Sequence, residues 1–98
     1  MLQKLKRNLR IIGEYEDEYL RDILECGKGY LNGLIGVKLD YEEAEPQALL
    51  MDYARYAYNN ASEYFEENHL GPILRLQISE AVKEEARLEN EGMEPGQA

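Results

Sequence analysis

The chain has no tryptophan, and only one phenylalanine, one histidine, one cysteine and three prolines. A single cysteine, Cys26, cannot form an internal disulfide, which excludes a disulfide-stapled secreted scaffold. One histidine with one cysteine falls short of a zinc site built from those ligands. No apolar run approaches the roughly 18–20 residues that cross a bilayer. The basic start, MLQKLKRNLRII, has neither a long apolar centre nor a small-residue cleavage site, so no leader is expected. Cations are scarce as well: 11 Lys and Arg stand against 20 Asp and Glu, a net charge of −9. That balance speaks against a domain whose main task is gripping nucleic-acid phosphates. What is present is 98 residues, 44% of them hydrophobic, enough for one small core. Eight tyrosines dominate the aromatics. Tyrosine buries a ring while keeping a polar tip, which suits half-buried positions and subunit interfaces.

The hydrophobic period is helical almost throughout. Leu2, Leu5, Leu9 and Ile12 recur at steps of three and four, predicting a short first helix that ends at Gly13. A second helix carries the stripe Tyr15, Tyr19, Leu20, Ile23, Leu24, Gly27, Tyr30, Leu31 and Leu34. Its acidic start suits the positive end of the helix dipole, and Gly33 and Gly36 mark its end. Asp40-Tyr41-Glu42-Glu43 reads as a capping box, with Pro46 in the first turn of a third helix that runs to about Asn68. That helix has apolar groups on three sides, so it must be packed on more than one, and some contacts are expected from another subunit. After a break at Asn68–Pro72, a fourth helix is expected to about Leu88, with Ile73, Leu74, Ile78, Ala81 and Val82 inward. The expected fold is all-α: a compact bundle of about four helices in one domain over residues 1–88. Residues 89–98 form a disordered acidic tail by composition.

Signals for catalysis are thin. Acidic pairs such as Asp17/Asp22 and Glu63/Glu66/Glu67 are what solvated helix faces produce in so acidic a chain. His69 beside a Gly-Pro turn reads as a loop histidine, and Cys26 lies among acids that disfavour a thiolate. No glycine-rich phosphate cradle follows a strand. No enzyme, metal or cofactor is expected. The first helix, with Lys4, Lys6, Arg7 and Arg10 and no acid, is the one cationic patch. It is open to three readings: an ordinary amphipathic helix, a contact to an acidic neighbouring subunit, or a phosphate contact. The stretch YARYAYNN places Tyr56, Tyr58, Asn59 and Asn60 away from the face of Tyr53, Ala54 and Ala57, which favours an oligomer interface.

Several segments together resemble one family. LKRNLRI, DEYLRDILECGKGYLNGLIG, PQALLMDYARYAYNNASEYFEEN and LRLQISEAV, in that order over residues 2–85, are similar to the small head–tail connector (adaptor) proteins of tailed bacteriophages, also described as DNA-packaging proteins. The resemblance implies a helical subunit of a homo-oligomeric ring below the portal protein, continuing the DNA channel towards the next neck or tail-completion protein. It implies a place in the virion neck, after assembly in the host cytoplasm, with no membrane and with DNA passing through unbound. Carried onto this chain, it makes Arg55, Tyr56 and Asn59 candidates for lateral contacts; Tyr58, from the surplus tyrosine face, joins them as an interface candidate. Residues from about Pro72 to Leu88, and Leu74, Ile78 and Val82 among them, become candidates for portal docking. The charge agrees with a conduit, because a cationic lumen would hold phosphates and resist sliding. A ring of about a dozen such copies would carry roughly −110 charges. The alternative from the same charge is an acidic DNA-mimic-like module that inhibits a host nucleic-acid-binding protein.

Overall fold

A computed structural model describes residues 1–92, with side chains to Glu91. Among them lie five α-helices and a single 3-10 turn, and no strand: α1 (Leu2–Leu9), α2 (Asp17–Ile35), α3 (Ala44–Tyr58), the turn (Ser62–Tyr64), α4 (Phe65–Asn68) and α5 (Leu70–Gly92). The all-α expectation stands. The count differs from four because the third expected helix divides.

Its division has a local cause. The Asn59 side chain donates Nδ2–H to the Arg55 carbonyl at 2.8 Å, competing with the backbone for an acceptor. Asn60 then takes a left-handed conformation at φ 56°, which asparagine tolerates better than most residues. The chain turns away after Tyr58, and Phe65 is brought back into the core, fully buried. Apolar periodicity runs through this point without a glycine or proline, so nothing in the pattern announces it.

α2 and α3 form an antiparallel pair at the centre. At one end Tyr58 donates to Glu16 at 2.7 Å. At the other, Tyr41 donates to Asn32 Oδ1 at 2.7 Å, with the Lys28 carbonyl 3.1 Å away. Between them the helices close on Gly27: a Cβ there would stand 2.8 Å from Leu50 and 2.9 Å from Tyr53. Glycine is required by this approach, not by its backbone conformation. α2 ends as expected at Gly36, whose φ of 99° provides the left-handed C-cap.

The expected capping box is instead a turn one residue upstream of α3. Asp40 Oδ1 accepts from the Glu42 N–H at 3.0 Å, and the Asp40 carbonyl accepts from Glu43. The Glu43 carboxylate is taken by Lys83 at 2.9 Å, so it cannot reach back. Pro46 lies in the first turn of α3, as expected. α1, α2 and α5 all pack on α3, so its three apolar sides are filled largely from within the chain.

α1 turns Leu2, Leu5 and Leu9 towards the body, but Ile12 points out. Arg10 adopts a left-handed conformation at φ 59°, shifting the register by one so that Ile11 packs inward and Ile12 is 98% exposed. Lys6 shares the inward face of α1 and is buried. Its ammonium meets Asp17 at 2.7 Å and donates to the Gly13 carbonyl at 2.5 Å, which ties down the loop between α1 and α2. A buried charge so placed needs both partners.

α5 is longer than expected at both ends. Pro72 falls in its first turn, where a missing N–H breaks no helical bond. Residues 89–92 of the expected tail continue the helix, and residues 93–98 lie outside the described residues. Ile73 and Leu76 enter the core, and Gln77 donates to the Leu34 carbonyl at 3.0 Å. From Ala81 to Glu91 every residue is exposed, and the longest dimension of the molecule is 60 Å.

Candidate assembly surfaces

The distal half of α5 projects past the α2–α3 pair at the end marked by Leu34 and Glu43. Its apolar residues are not where the periodicity suggested. Ile73 and Leu76 face inward at 6% and 3% exposure, whereas Leu70, Leu74, Ile78 and Val82 are 56–65% exposed, with Leu88 at 54%. Ala81 is exposed too. At about 100° per residue the exposed set occupies an arc centred about 130° from the buried one. Both arcs satisfy a helical period; period alone cannot say which one meets the core. Leu74, Ile78 and Val82 therefore form one accessible stripe of aliphatic surface.

Ion pairs occupy the rest of this helix. Lys83 bridges Glu43 and Glu80 at 2.9 and 3.0 Å, and hydrogen bonds to those carboxylates hold its ammonium above the usual lysine range. Arg87 pairs with Glu84 at 2.6 Å and Glu91 at 2.5 Å, which lowers the Glu84 carboxyl. Pairs at these spacings support an isolated helix. α5 is thus stapled by ion pairs along one side and carries Leu74, Ile78 and Val82 along another.

The residues expected at a lateral contact are divided. Tyr56 lies edge-on to Phe65 and His69, at centroid distances of 5.9 and 5.3 Å, and its hydroxyl accepts from Asn68. Tyr58 is spent on Glu16, and that bond raises its hydroxyl above the usual tyrosine range. Arg55 and Asn59 remain outward, flanking a shallow hollow of about 270 Å³. The tyrosines that looked surplus are largely consumed by Phe65, which gathers Tyr30, Tyr53, Tyr56 and His69 around one ring. Tyr30 also donates to Glu66, and burial with that bond pushes its hydroxyl well above the ordinary range. Among the described residues, Tyr15, Tyr19 and Tyr64 stay open, Tyr15 completely.

His69 does lie in the turn between α4 and α5, but it is buried. It stacks on Phe65 at 4.4 Å, its Nδ1 lies 2.8 Å from the Phe65 carbonyl, and its Nε2 faces Asp52 at 3.3 Å. The pair borders a hollow of about 230 Å³ between α3 and α5, with Leu49, Pro72, Arg75 and Leu76 on its walls and no hydroxyl or thiol among its lining. The ring is held as a packing piece with both nitrogens engaged. Nothing in its sequence neighbourhood signals this, because its partners arrive from α3 and from the divided helix.

Cys26 is exposed and free. Among the described residues no three His, Cys, Asp or Glu side chains cluster as metal ligands, and no helix is long and apolar enough to cross a membrane. Sequence reasoning missed Ile12 and Tyr15 as surface features. They stand 98% and 104% exposed on the loop that Lys6 secures. A signal existed: on a helical wheel Lys6 falls beside Leu2 and Leu9, so it belongs to the inward face, not to the cationic patch. No family model, curated protein or solved structure matches this chain.

Proposed function

We propose that the chain is a structural subunit of a phage head–tail connector, a ring through which DNA passes between portal and tail. The observation that carries this reading is the outer face of α5, with Leu74, Ile78 and Val82 turned to solvent. A row of large aliphatics left open on a helix is costly for a chain that works alone, and such a patch marks a protein contact. It falls on the segment that the family resemblance assigns to docking. The net charge of −9 supports a wall that repels the DNA backbone.

The cationic patch is smaller than its residue count. Lys6 is internal and ion-paired, leaving Lys4, Arg7 and Arg10 exposed on α1 and its end, with Lys4 donating to Gln47. Three outward cations are few for holding a duplex and sufficient to meet an acidic protein surface.

The test is assembly. Mass photometry of the full chain, alone and with portal-containing heads lacking it, is expected to show a ring-sized species or stoichiometric recruitment to heads. A protein that stays monomeric and ignores heads, while being retained by host DNA-binding proteins in a salt-sensitive pull-down, overturns the connector in favour of the DNA mimic.

A further inference from the structure

We propose that His69 is a proton-operated clasp between α3 and the root of α5: with two ring protons it fastens to Phe65 and Asp52 together, and with one it lets Asp52 go. The clasp is independent of the connector reading and goes beyond it.

Three observations carry it. The first fixes the proton. Nδ1 lies 2.8 Å from the Phe65 carbonyl, which can only accept, so Nδ1 carries a hydrogen. In the one-proton ring Nε2 then presents a lone pair. The group it faces at 3.3 Å is the Asp52 carboxylate, which also only accepts. Two acceptors face to face repel. A second ring proton turns the same contact into a charge-assisted one, with an N–H donating on each side of the ring.

The second is that the ring is held while its partner is not. His69 is 9% exposed, stacked on Phe65 at 4.4 Å with the Tyr56 ring edge-on at 5.3 Å. Asp52 has freedom to turn: its side chain is 40% exposed, and its other oxygen meets Arg55, on its own helix, at 3.4 Å. Asp52 therefore has two partners. Arg55 keeps it on α3, and His69 ties α3 to the turn that precedes α5.

The third is position. His69 immediately precedes α5, and its carbonyl accepts the Ile73 N–H at 2.9 Å in the first turn of that helix. Beside the ring, the hollow between α3 and α5 leaves about 230 Å³ of space, with Glu45 from α3 and Arg75 from α5 on its walls. These two carry opposite charges. Asn68 of α4 donates to the Tyr56 hydroxyl, and neither is charged. Asp52, the one acid paired with the ring among the described residues, thus decides which form fits. The ordinary charge change of an imidazole falls between about pH 5 and 8, where carboxylates stay ionised. The clasp is closed on the acid side and opens as pH rises, loosening the root of the helix that carries Leu74, Ile78 and Val82.

The chain has a single histidine, so nitrogen-15 NMR of the full chain reads this ring directly. Towards about pH 8 the one remaining ring proton is expected on Nδ1, and Nε2 is expected to gain its proton as pH falls to about 5.5. Amide hydrogen exchange, corrected for the intrinsic effect of pH, is expected to show Ile73 about two- to fivefold better protected at the acid end. Asp52→Asn offers a donor to the one-proton ring and an acceptor to the two-proton ring. It is expected to flatten that difference. Asp52 is half-buried and outside the core, so circular dichroism is expected to show the variant folded.

The NMR measurement needs no variant, and a single proton found on Nε2 overturns the proposal, because the ring would then serve Asp52 in either form. An Ile73 protection that is level with pH in the wild type overturns it too. So does one that changes with pH equally in the wild type and in Asp52→Asn, which would place the response in another group.

Discussion

The body of this protein and the far half of α5 are built on opposite terms. In the body, one phenylalanine organises the packing: Phe65 is fully buried, with three tyrosines and a histidine around it. Polar groups there are paired, down to the buried ammonium of Lys6. Beyond Glu80 there is no such enclosure: every residue from Ala81 to Glu91 is exposed, Val82 and Leu88 among them. Stability is concentrated in the first region and unspent contact surface in the second. Substitutions are therefore expected to separate the two almost completely.

The largest effect is expected at the hub. Phe65→Ala removes the common partner of Tyr30, Tyr53, Tyr56 and His69 and is expected to cost about 3–5 kcal/mol of folding stability, measured by urea denaturation. Lys6→Ala strands Asp17 and frees the loop. It is expected to cost about 2 kcal/mol, with Lys6→Arg recovering part of it. Gly27→Ala pushes a methyl group into Leu50 and Tyr53 and is expected to cost about 1–3 kcal/mol by overpacking, against the slight gain alanine gives in an open helix.

Alkaline pH is expected to find the body through Tyr41. Burial pushes its hydroxyl up to about 12, from 10.0. A group whose folded-state value is raised keeps its full contribution below pH 10 and loses it as pH climbs towards 12. The denaturation midpoint is expected to be level through neutrality and to fall above pH 10; Tyr41→Phe, which also loses the bond to Asn32, is expected to start lower and fall less. The smallest effect closes the comparison from the other side. Leu88→Ala is expected to change folding stability by less than about 0.5 kcal/mol, because the side chain touches no part of the body. A large loss there would mean that α5 folds back onto the rest.

How far the sequence could be read follows the same boundary. α1 and α2 were legible because their signals are local: Leu2, Leu5 and Leu9 at helical spacing, carboxylates at the start of α2, Gly36 at its end. The division of α3 was not, because Asn59 and Asn60 act through hydrogen bonding and a single dihedral angle while the apolar period runs on to Tyr64. α5 was legible as a helix and misread as to its side. Two apolar arcs satisfied the period, and only the position of α2 and α3 selects Ile73 and Leu76 for the core. His69 and Lys6 show the same limit in polar form. A lone histidine by a turn and a lysine in a basic run look solvated until the fold delivers Phe65 and Asp52 to one, and Asp17 and Gly13 to the other.

Gln77 and Lys83 give α5 a mechanical character as well. Past the buried Ile73 and Leu76, these two side chains fasten the helix to Leu34 and to Glu43, and it runs on from Lys83 without further attachment. The segment from Glu84 to Gly92 is a free arm of roughly 14 Å, so a tilt of about 10° at the fastening sweeps its tip through about 2 Å. Adjustment of that size is cheap, because it strains one exposed ion pair and leaves the aromatic hub untouched. A partner that bound the arm could set its angle without asking the core to repack.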